Sequence, residues 1–311
     1  MILGFSGENK EGVCKNSSIV GVIVIFTRSV KPTRTTDKLS TMRLLFAACL
    51  FLARIVRFTS ALSIKSSAFA AAYIDVMGRF REVGPLENVE LEGRFESATG
   101  RIGNNVEVTF CSEAFRSSEL SYARMVSFSG KGYDVFNFLA IPAIDCDLPM
   151  FGVDLVMLPG GVLAAIDFQP TSGLDSHTRG HAYESVKPLF DSWQPMFPSG
   201  GPLPPAARRF FSPCAIWTRF GKSGGEADGV LFEKMLQAMS QYCQVYCDVL
   251  KSVKETAKEG GDEERKERVQ FLSDYLQYRI DNDPAKKMLV GAFGETWTDE
   301  VLKRVLFPKV F

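Results

Sequence analysis

Five short apolar segments follow one another between residues 106 and 168, and the turns that separate them are too short to contain a helix. The turns include Ser-Gly-Lys-Gly, Asp-Cys-Asp-Leu-Pro and Pro-Gly-Gly, which are typical of connections between hairpin strands. Neighbouring parallel strands need a connection of about a dozen residues or more, so we expect an antiparallel meander. The predicted strands are residues 106–111, 122–128, 135–141, 153–158 and 162–168.

Helical patterns surround this strand-rich region. A further strand is predicted at 215–220, and residues 258–268 are predicted to form a solvated, charged connection. No G-x-G-x-x-G or Walker loop occurs, which argues against a nucleotide-binding parallel sheet. Strands that precede helices predict an α/β fold in which helices cover an antiparallel sheet. The predicted helices are residues 70–83, 183–193, 230–256, 269–280 and 300–306.

The chain carries 36 basic and 36 acidic residues, and this neutral total conceals two oppositely charged parts. Residues 1–69 hold ten Lys or Arg against three Asp or Glu, a net charge of +7, so the remaining 242 residues carry −7. An acidic domain behind a basic leader argues against a general nucleic-acid-binding protein. The hydrophobic content of 46% predicts a folded core.

The basic N-terminal part has the order of a targeting leader. Met42 and Arg43 precede a ten-residue apolar run at 44–53, which is too short to span a bilayer comfortably, and small residues follow at 59–63. Phe69 then lies in a Ser- and Ala-rich stretch that resembles the junction of bipartite leaders in algae with secondary plastids.

The leader resemblance implies a location in the plastid stroma. Residues 1–41 would be an extension of the gene model, residues 42–69 a signal plus plastid transit region, and residues 70–311 the mature domain. The alternative is a signal-anchor helix, with residues 19–26 as a further buried or membrane-touching segment.

Two carboxylates stand in apolar strands. Asp154 interrupts the sequence FGVDLVML, and strand alternation places it on the face opposite Val153 and Leu155. Apolar surroundings raise the pKa of a carboxyl group and keep it protonated, so that it can donate a proton. The alternative is an aspartate at a strand edge that points to water. Asp167, which shares a strand face with Gln169, competes for the same role.

Three further charged residues, two at the end of a predicted helix and one in a predicted strand, are candidates for the site. Asp283 precedes a proline at a predicted helix end, and this pattern favours a cap for the following turn. Arg279, four residues earlier, could pair with Asp283 or with an anionic ligand, or lie on a solvated face. Arg219 in the strand sequence WTRF could hold a carboxylate beside an apolar pocket, with snorkelling at the core edge as the alternative.

The seven cysteines and two histidines do not form a metal-binding pattern. No Cys-x-x-Cys pair exists, and Gly180 between His177 and His181 favours an exposed loop over a shared metal. We therefore expect no metal site and reduced, buried thiols.

Four segments resemble the ferredoxin-dependent bilin reductases in order and spacing, and the similarity extends over about residues 70–308. They are residues 147–154 (DLPMFGVD), 158–170 (LPGGVLAAIDFQP), 199–220 (SGGPLPPAARRFFSPCAIWTRF) and 278–284 (YRIDNDP). The resemblance implies a three-layer α/β/α sandwich with a central antiparallel sheet. An open-chain tetrapyrrole, or bilin, would lie between the sheet and the C-terminal helices.

The same resemblance assigns roles to individual residues. Asp154 and Asp283 match the family's sheet and helix aspartates, which flank the bilin as proton donors. Arg279 matches the pocket arginine near the helix aspartate. Asn137 occupies the position of a catalytic histidine in enzymes that make phycocyanobilin, so that four-electron reaction is not expected here. Arg219 is our own prediction for a propionate anchor, and Gln169 is predicted to contact the substrate.

The most similar branch of the family reduces 15,16-dihydrobiliverdin at the A-ring diene to phycoerythrobilin. The resemblance implies that no metal or flavin is bound and that reduced ferredoxin supplies electrons singly, through substrate radicals. Biliverdin is an alternative substrate, which would give 15,16-dihydrobiliverdin or phytochromobilin. A non-catalytic bilin carrier is the alternative from another class, and the presence of both aspartates argues against it.

The expected partners are the bilin and a 2Fe–2S ferredoxin, with an upstream bilin reductase as a further candidate, and the chain is expected to act as a monomer. Ferredoxins are acidic, so a domain with a charge of −7 needs a local basic patch to bind one. The cations predicted to form this patch are Arg208, Arg209, Lys222, Lys251 and Lys254.

Overall fold

The computed structural model describes residues 69–221, 226–253 and 261–311. The predicted leader lies outside the described residues apart from Phe69, and so do Lys222 and Lys254. Phe69 is buried, and its ring centroid lies 5.5 Å from that of Phe232. None of the described helices combines the length and the apolar character needed to cross a membrane.

Within the described residues, eight strands form one antiparallel sheet. They are β1 Glu87–Val89, β2 Ser97–Ile102, β3 Val106–Arg116, β4 Leu120–Gly130, β5 Tyr133–Pro142, β6 Met150–Leu158, β7 Gly161–Gln169 and β8 Ile216–Phe220. Their spatial order is β1-β3-β4-β5-β6-β7-β8, and β2 also pairs with β3. The predicted meander and the strand at 215–220 are confirmed. The sequence pattern misses β2, because Ile102 is its only large apolar residue.

The first two helices precede β2, the third lies between β7 and β8, and the others follow the sheet in sequence. They are α1 Ala70–Val83, α2 Gly93–Glu96, α3 His177–Trp193, α4 Glu226–Val253, α5 Asp262–Asn282, α6 Lys286–Phe293 and α7 Glu295–Val301. A π-helical turn, Leu302–Leu306, continues α7.

Two sequence-based expectations about the helices are wrong. The segment 258–268 is not a solvated connection from Asp262 onwards, because α5 begins there, and its acidic first turn suits the positive end of the helix dipole. Glu264 also accepts a hydrogen bond from the N–H of Gly261 at 2.7 Å. His177 and His181 are exposed as expected, but they lie on α3 rather than in a loop, because Ser176 caps the helix.

Helices cover both sides of the sheet. Alternate side chains of a strand point to opposite sides. The first face, which includes Phe138, Phe151 and Ile166, packs against α1, α3 and α4. The second face, which includes Tyr122 and Leu139, packs against α5, α6 and α7. The fold is therefore a three-layer α/β/α sandwich with a central antiparallel sheet, which confirms the predicted class.

A buried cluster of charged side chains connects α3 and α5 to the loop between β5 and β6. Asp147 in that loop accepts a hydrogen bond from Arg179 of α3 and lies 3.8 Å from Nη1 of Arg268 on α5. The Nε of Arg268 also donates to the carbonyl of Ile144 at 3.0 Å. The side chains of Arg179 and Arg268 are only 5% and 4% exposed. Because water solvates these two charges poorly, both depend on Asp147 as their counterion.

We expect Asp147→Asn to lower the free energy of unfolding by about 3 kcal/mol, because it leaves two buried guanidinium groups without a counterion. Urea unfolding followed by circular dichroism measures the change. The matched control is Asp145→Asn, because the Asp145 side chain is 47% exposed and pairs with Arg265 at the surface. We expect little change from the control, and equal effects of both variants would contradict a special role for the buried cluster.

Candidate active site

The second face of the sheet keeps accessible surface near its centre, and we call the space above this surface the cleft. On β5, β6 and β7, the residues that point to the first face are buried, apart from Met157 near the end of β6. By contrast, Asn137, Gly152, Asp154 and Ala165 on the second face keep accessible surface. Because β6 has a hydrogen-bonded strand on each side, this accessibility comes from a space above the face and not from a sheet edge. Asp154 is therefore not a strand-edge residue that points to bulk water.

The carboxyl group of Asp154 lies at the floor of this cleft. Its cross-strand partner is Asn137 on β5, so the two side chains emerge side by side on the second face. Burial raises the pKa of Asp154, while the charge of Arg279 and a hydrogen bond from Asn137 act in the opposite direction. The structure thus gives Asp154 the raised pKa that its apolar neighbours in the sequence predict.

Helix α5 supplies the opposite wall. An Nη of Arg279 lies 3.1 Å from Oδ2 of Asp283, one helical turn later, and the side chain of Asp283 is 7% exposed. Oδ1 of Asp283 accepts a hydrogen bond from the N–H of Ala285 at 2.8 Å, so Asp283 also caps the turn, as its position before Pro284 predicts. The Nε of Arg279 is buried and finds no acceptor among the described residues, which leaves one donor for a ligand.

Arg124 on β4, which was not among the residues predicted from the sequence, completes the cluster. It is 1% exposed, donates to the side-chain oxygen of Asn137, and donates from Nε to the carbonyl of Leu306 at 2.9 Å. Its guanidinium lies 5.5 Å from the ring centroid of Phe307, and that of Arg279 lies 5.0 Å from the same ring. The available signal was a charge inside the apolar strand sequence YARMVSF, on the same face as Asn137.

Gln169 lies at the end of β7 on the same face and connects the sheet to α5. It is 6% exposed, and its side-chain oxygen accepts a hydrogen bond from the hydroxyl of Tyr275 at 2.8 Å. A Cβ atom on the neighbouring Gly152 would approach the Gln169 side chain to 3.1 Å, so the glycine leaves room for this contact. The structure places Gln169 beside the cleft but gives its amide oxygen an internal partner.

Two predicted residues of the same face lie apart from the central cluster. Arg219 on β8 is exposed, so its assignment as a propionate anchor stays a prediction. Asp167 is 1% exposed and accepts hydrogen bonds from the N–H and the hydroxyl of Ser212. Burial raises the pKa of Asp167 to about 7. Its carboxyl group holds Ser212 in place through these hydrogen bonds, whereas Asp154 faces the accessible cleft.

The raised pKa of Asp167 predicts a pH-dependent stability. In the unfolded chain the pKa of Asp167 returns to about 3.9. Between this pH and about 7, the folded state therefore binds more protons than the unfolded state. As a result, the free energy of unfolding decreases as the pH rises through this window. Relative to Asp167→Asn, which stays neutral, the wild type is expected to lose about 2 kcal/mol of unfolding free energy between about pH 5 and about pH 8. Urea unfolding at both pH values measures the difference. A constant difference would contradict the raised pKa.

The cations predicted to bind an acidic partner are only partly described. Arg208 is exposed, whereas Arg209 pairs with Asp274 at 3.2 Å and Lys251 lies 3.8 Å from Asp248. Arg208 is therefore the clearest candidate among these residues for contact with a partner.

Comparison with known proteins identifies the family of the chain. A family model described as ferredoxin-dependent bilin reductase matches residues 75–308. The chain is 35% identical over 217 residues to the phycoerythrobilin:ferredoxin oxidoreductase of Prochlorococcus marinus, which covers 68% of this chain and 81% of that protein. It is 34% identical over 212 residues to the protein of the same name from a Synechococcus species, with coverages of 68% and 79%.

A solved structure supports the fold independently. The crystal structure of tomato phytochromobilin synthase in complex with biliverdin superimposes with a TM-score of 0.67 at 20% identity, over 78% of this chain and 84% of that chain. The match of the family model covers the whole cluster from Arg124 to Phe307. The chain therefore belongs to the ferredoxin-dependent bilin reductase family and is an oxidoreductase.

Proposed function

We propose that this enzyme reduces 15,16-dihydrobiliverdin at its A-ring diene to phycoerythrobilin, with electrons from reduced ferredoxin. The observation that carries the proposal is the pair of carboxyl groups on opposite walls of one cleft, Asp154 from the sheet and Asp283 from α5, with Arg279 interacting with both. The names of the relatives that match over two thirds of the chain support the same product.

The reaction needs two electrons and two protons. Ferredoxin delivers the electrons singly, so two reduced ferredoxins are oxidised, and the first electron converts the bilin to a radical anion. Asp154 donates the first proton, because burial raises its pKa and so favours its protonated form. After the second electron, Asp283 transmits the second proton, and one carbon–carbon double bond has been removed. Asp154 then regains its proton from water, and Asp283, which takes from water the proton that it transmits, returns to its ion pair with Arg279.

The charges of the cluster suit an anionic substrate. Arg124 and Arg279 are cations, and Asp283 is the one ion-paired anion when Asp154 is protonated, so these four groups carry a net positive charge. A positive, partly desolvated site attracts propionates and stabilises the negative charge that each electron adds. The Nε of Arg279 is available to donate a hydrogen bond to such a group, and exposed Arg219 could hold a propionate at the β8 end of the cleft.

The leader completes the proposal at the level of location. Residues 42–69 would direct the enzyme to the plastid stroma, where reduced ferredoxin is supplied by photosynthetic electron transport.

A turnover assay tests the proposed substrate. The full chain is incubated without oxygen with dihydrobiliverdin or biliverdin, reduced ferredoxin and its reductase, and the products are separated and identified by absorbance and mass. We expect dihydrobiliverdin to gain two hydrogens and biliverdin to remain. Consumption of biliverdin alone would assign the enzyme to an earlier step, and tight binding of both without turnover would indicate a carrier.

A further inference from the structure

We propose that Arg124 is a positioning residue that fixes the side-chain amide of Asn137, so that the NH₂ group of Asn137 always points at Asp154. This inference rests on the proposed function only in that Asp154 donates a proton to the bilin. The hydrogen bonds of Arg124 are formed within the protein and do not depend on that role of Asp154.

The chemistry of arginine fixes the orientation of the amide. A guanidinium group has only donors, so the atom of Asn137 that faces Arg124 must be the carbonyl oxygen, Oδ1. Nη1 of Arg124 also lies 3.4 Å from the backbone carbonyl oxygen of Asn137, so Arg124 contacts both oxygen atoms of this residue. With Oδ1 occupied, the remaining polar atom, Nδ2, is the one that hydrogen-bonds to Asp154 on the next strand.

The C-terminal segment holds Arg124 in place. The Nε of Arg124 donates to the carbonyl of Leu306, and the hydroxyl of Tyr122 donates to the carbonyl of Val305 at 2.9 Å. Both carbonyls belong to the π-helical turn Leu302–Leu306, and such turns are frequent at functional sites. Phe307 follows directly and lies against the guanidinium group. A planar group with fixed donors at several edges cannot rotate freely, which suits a residue that must orient another.

The orientation of the amide decides which form of Asp154 is favoured. Groups that face Asp154 are Arg124 from β4, Asn137 from β5, and Arg279 and Asp283 from α5. An N–H donated by Asn137 stabilises the carboxylate, and so opposes burial and the negative charge of Asp283. A flipped amide would present Oδ1 and accept a hydrogen bond from the neutral acid instead. Arg124 thus keeps Asp154 able to release its proton.

The test measures the titration of Asp154 in the protein without bilin or ferredoxin. Full chain labelled with ¹³C at the aspartate carboxyl carbons is titrated by NMR, and Asp154→Asn identifies the Asp154 signal. We expect Arg124→Met to raise the midpoint by about one pH unit and Asn137→Leu to raise it by a similar amount. The double variant is expected to show a shift clearly smaller than the sum, because both changes remove the same hydrogen bond. Additive shifts would mean that Arg124 acts by its charge alone, and no shift would mean a purely structural role; either result overturns the proposal.

A second measurement requires no substitution at the buried arginine. The side-chain NH₂ protons of Asn137, assigned in the wild type by their loss in Asn137→Leu, are expected to shift with the same midpoint as the Asp154 carboxyl carbon. Independent titration would overturn the proposal even if Arg124→Met did not fold. Turnover adds a further readout, since the alkaline limb of the pH–rate profile should move to higher pH in Arg124→Met. Absence of turnover in the wild type would instead reject the proposed function and leave the NMR result to decide the role of Arg124.

Discussion

Asp154→Asn is expected to reduce the rate of dihydrobiliverdin reduction by at least about 100-fold, while the bilin still binds. Asparagine has nearly the same shape as aspartate and can keep a hydrogen bond to Asn137, but it cannot supply a proton to the radical anion. The rate is measured from single turnover with pre-reduced ferredoxin, and binding from the absorbance change of the bilin.

The matched control is Asp134→Asn. Asp134 lies on β5, is 9% exposed, and points to the first face of the sheet, away from the cleft. The control therefore makes the same chemical change in the same sheet without touching the site, and its turnover should stay close to that of the wild type. Equal turnover in Asp154→Asn and wild type would remove Asp154 from the proton path.

Part of the site could be predicted from the sequence because its contacts are local or repeat with a known period. The alternation of β6 places Asp154 opposite Val153 and Leu155, and Arg279 and Asp283 are one helical turn apart. Asn137 and Asp154 are partners in neighbouring strands joined by a short loop, so a hairpin prediction brings them close. The resemblance to a family then supplied the roles of these residues.

The contacts that the sequence does not reveal join distant parts of the chain. Arg124 and Leu306 are 182 positions apart, and nothing in either local pattern indicates that a C-terminal carbonyl meets a buried guanidinium group. The same is true of Arg268, whose charged neighbours resemble a solvated loop although its side chain is buried against Asp147. Burial of a charge depends on a partner elsewhere in the fold, and composition alone cannot show that partner.

The accessibility of the second face is likewise a tertiary property. Ala165 and Gly152 have the composition of a close-packed strand, yet they remain partly accessible, whereas α5 contacts the sheet at the β7 end through Tyr275 and Gln169. The sequence predicts which side chains share the face. It does not predict that helices leave a space above them, which is what turns a row of polar residues into a binding cleft.

Asp283→Asn is expected to lower product formation by about 100-fold or more, and to do so at a later step than Asp154→Asn. The introduced asparagine would still accept the N–H of Ala285 through its side-chain oxygen, so the cap of the turn after α5 should be preserved. What is lost is the ion pair with Arg279 and the group that passes on the second proton. If Asp154 donates first, Asp283→Asn supplied with one equivalent of reduced ferredoxin should still form the protonated one-electron-reduced radical, which electron paramagnetic resonance detects, whereas Asp154→Asn should not.

The chain offers a close control for this experiment in Asp281→Asn. Asp281 lies on the same helix two residues earlier, is exposed, and accepts a hydrogen bond from Gln277 at 2.9 Å. A third variant, Asp283→Ala, separates the two roles of the residue, because it also removes the cap and should lower the free energy of unfolding by about 1 kcal/mol relative to Asp283→Asn. If Asp283→Asn keeps wild-type turnover and only Asp283→Ala is impaired, Asp283 serves the turn and not the chemistry, and the second proton must reach the bilin by another route.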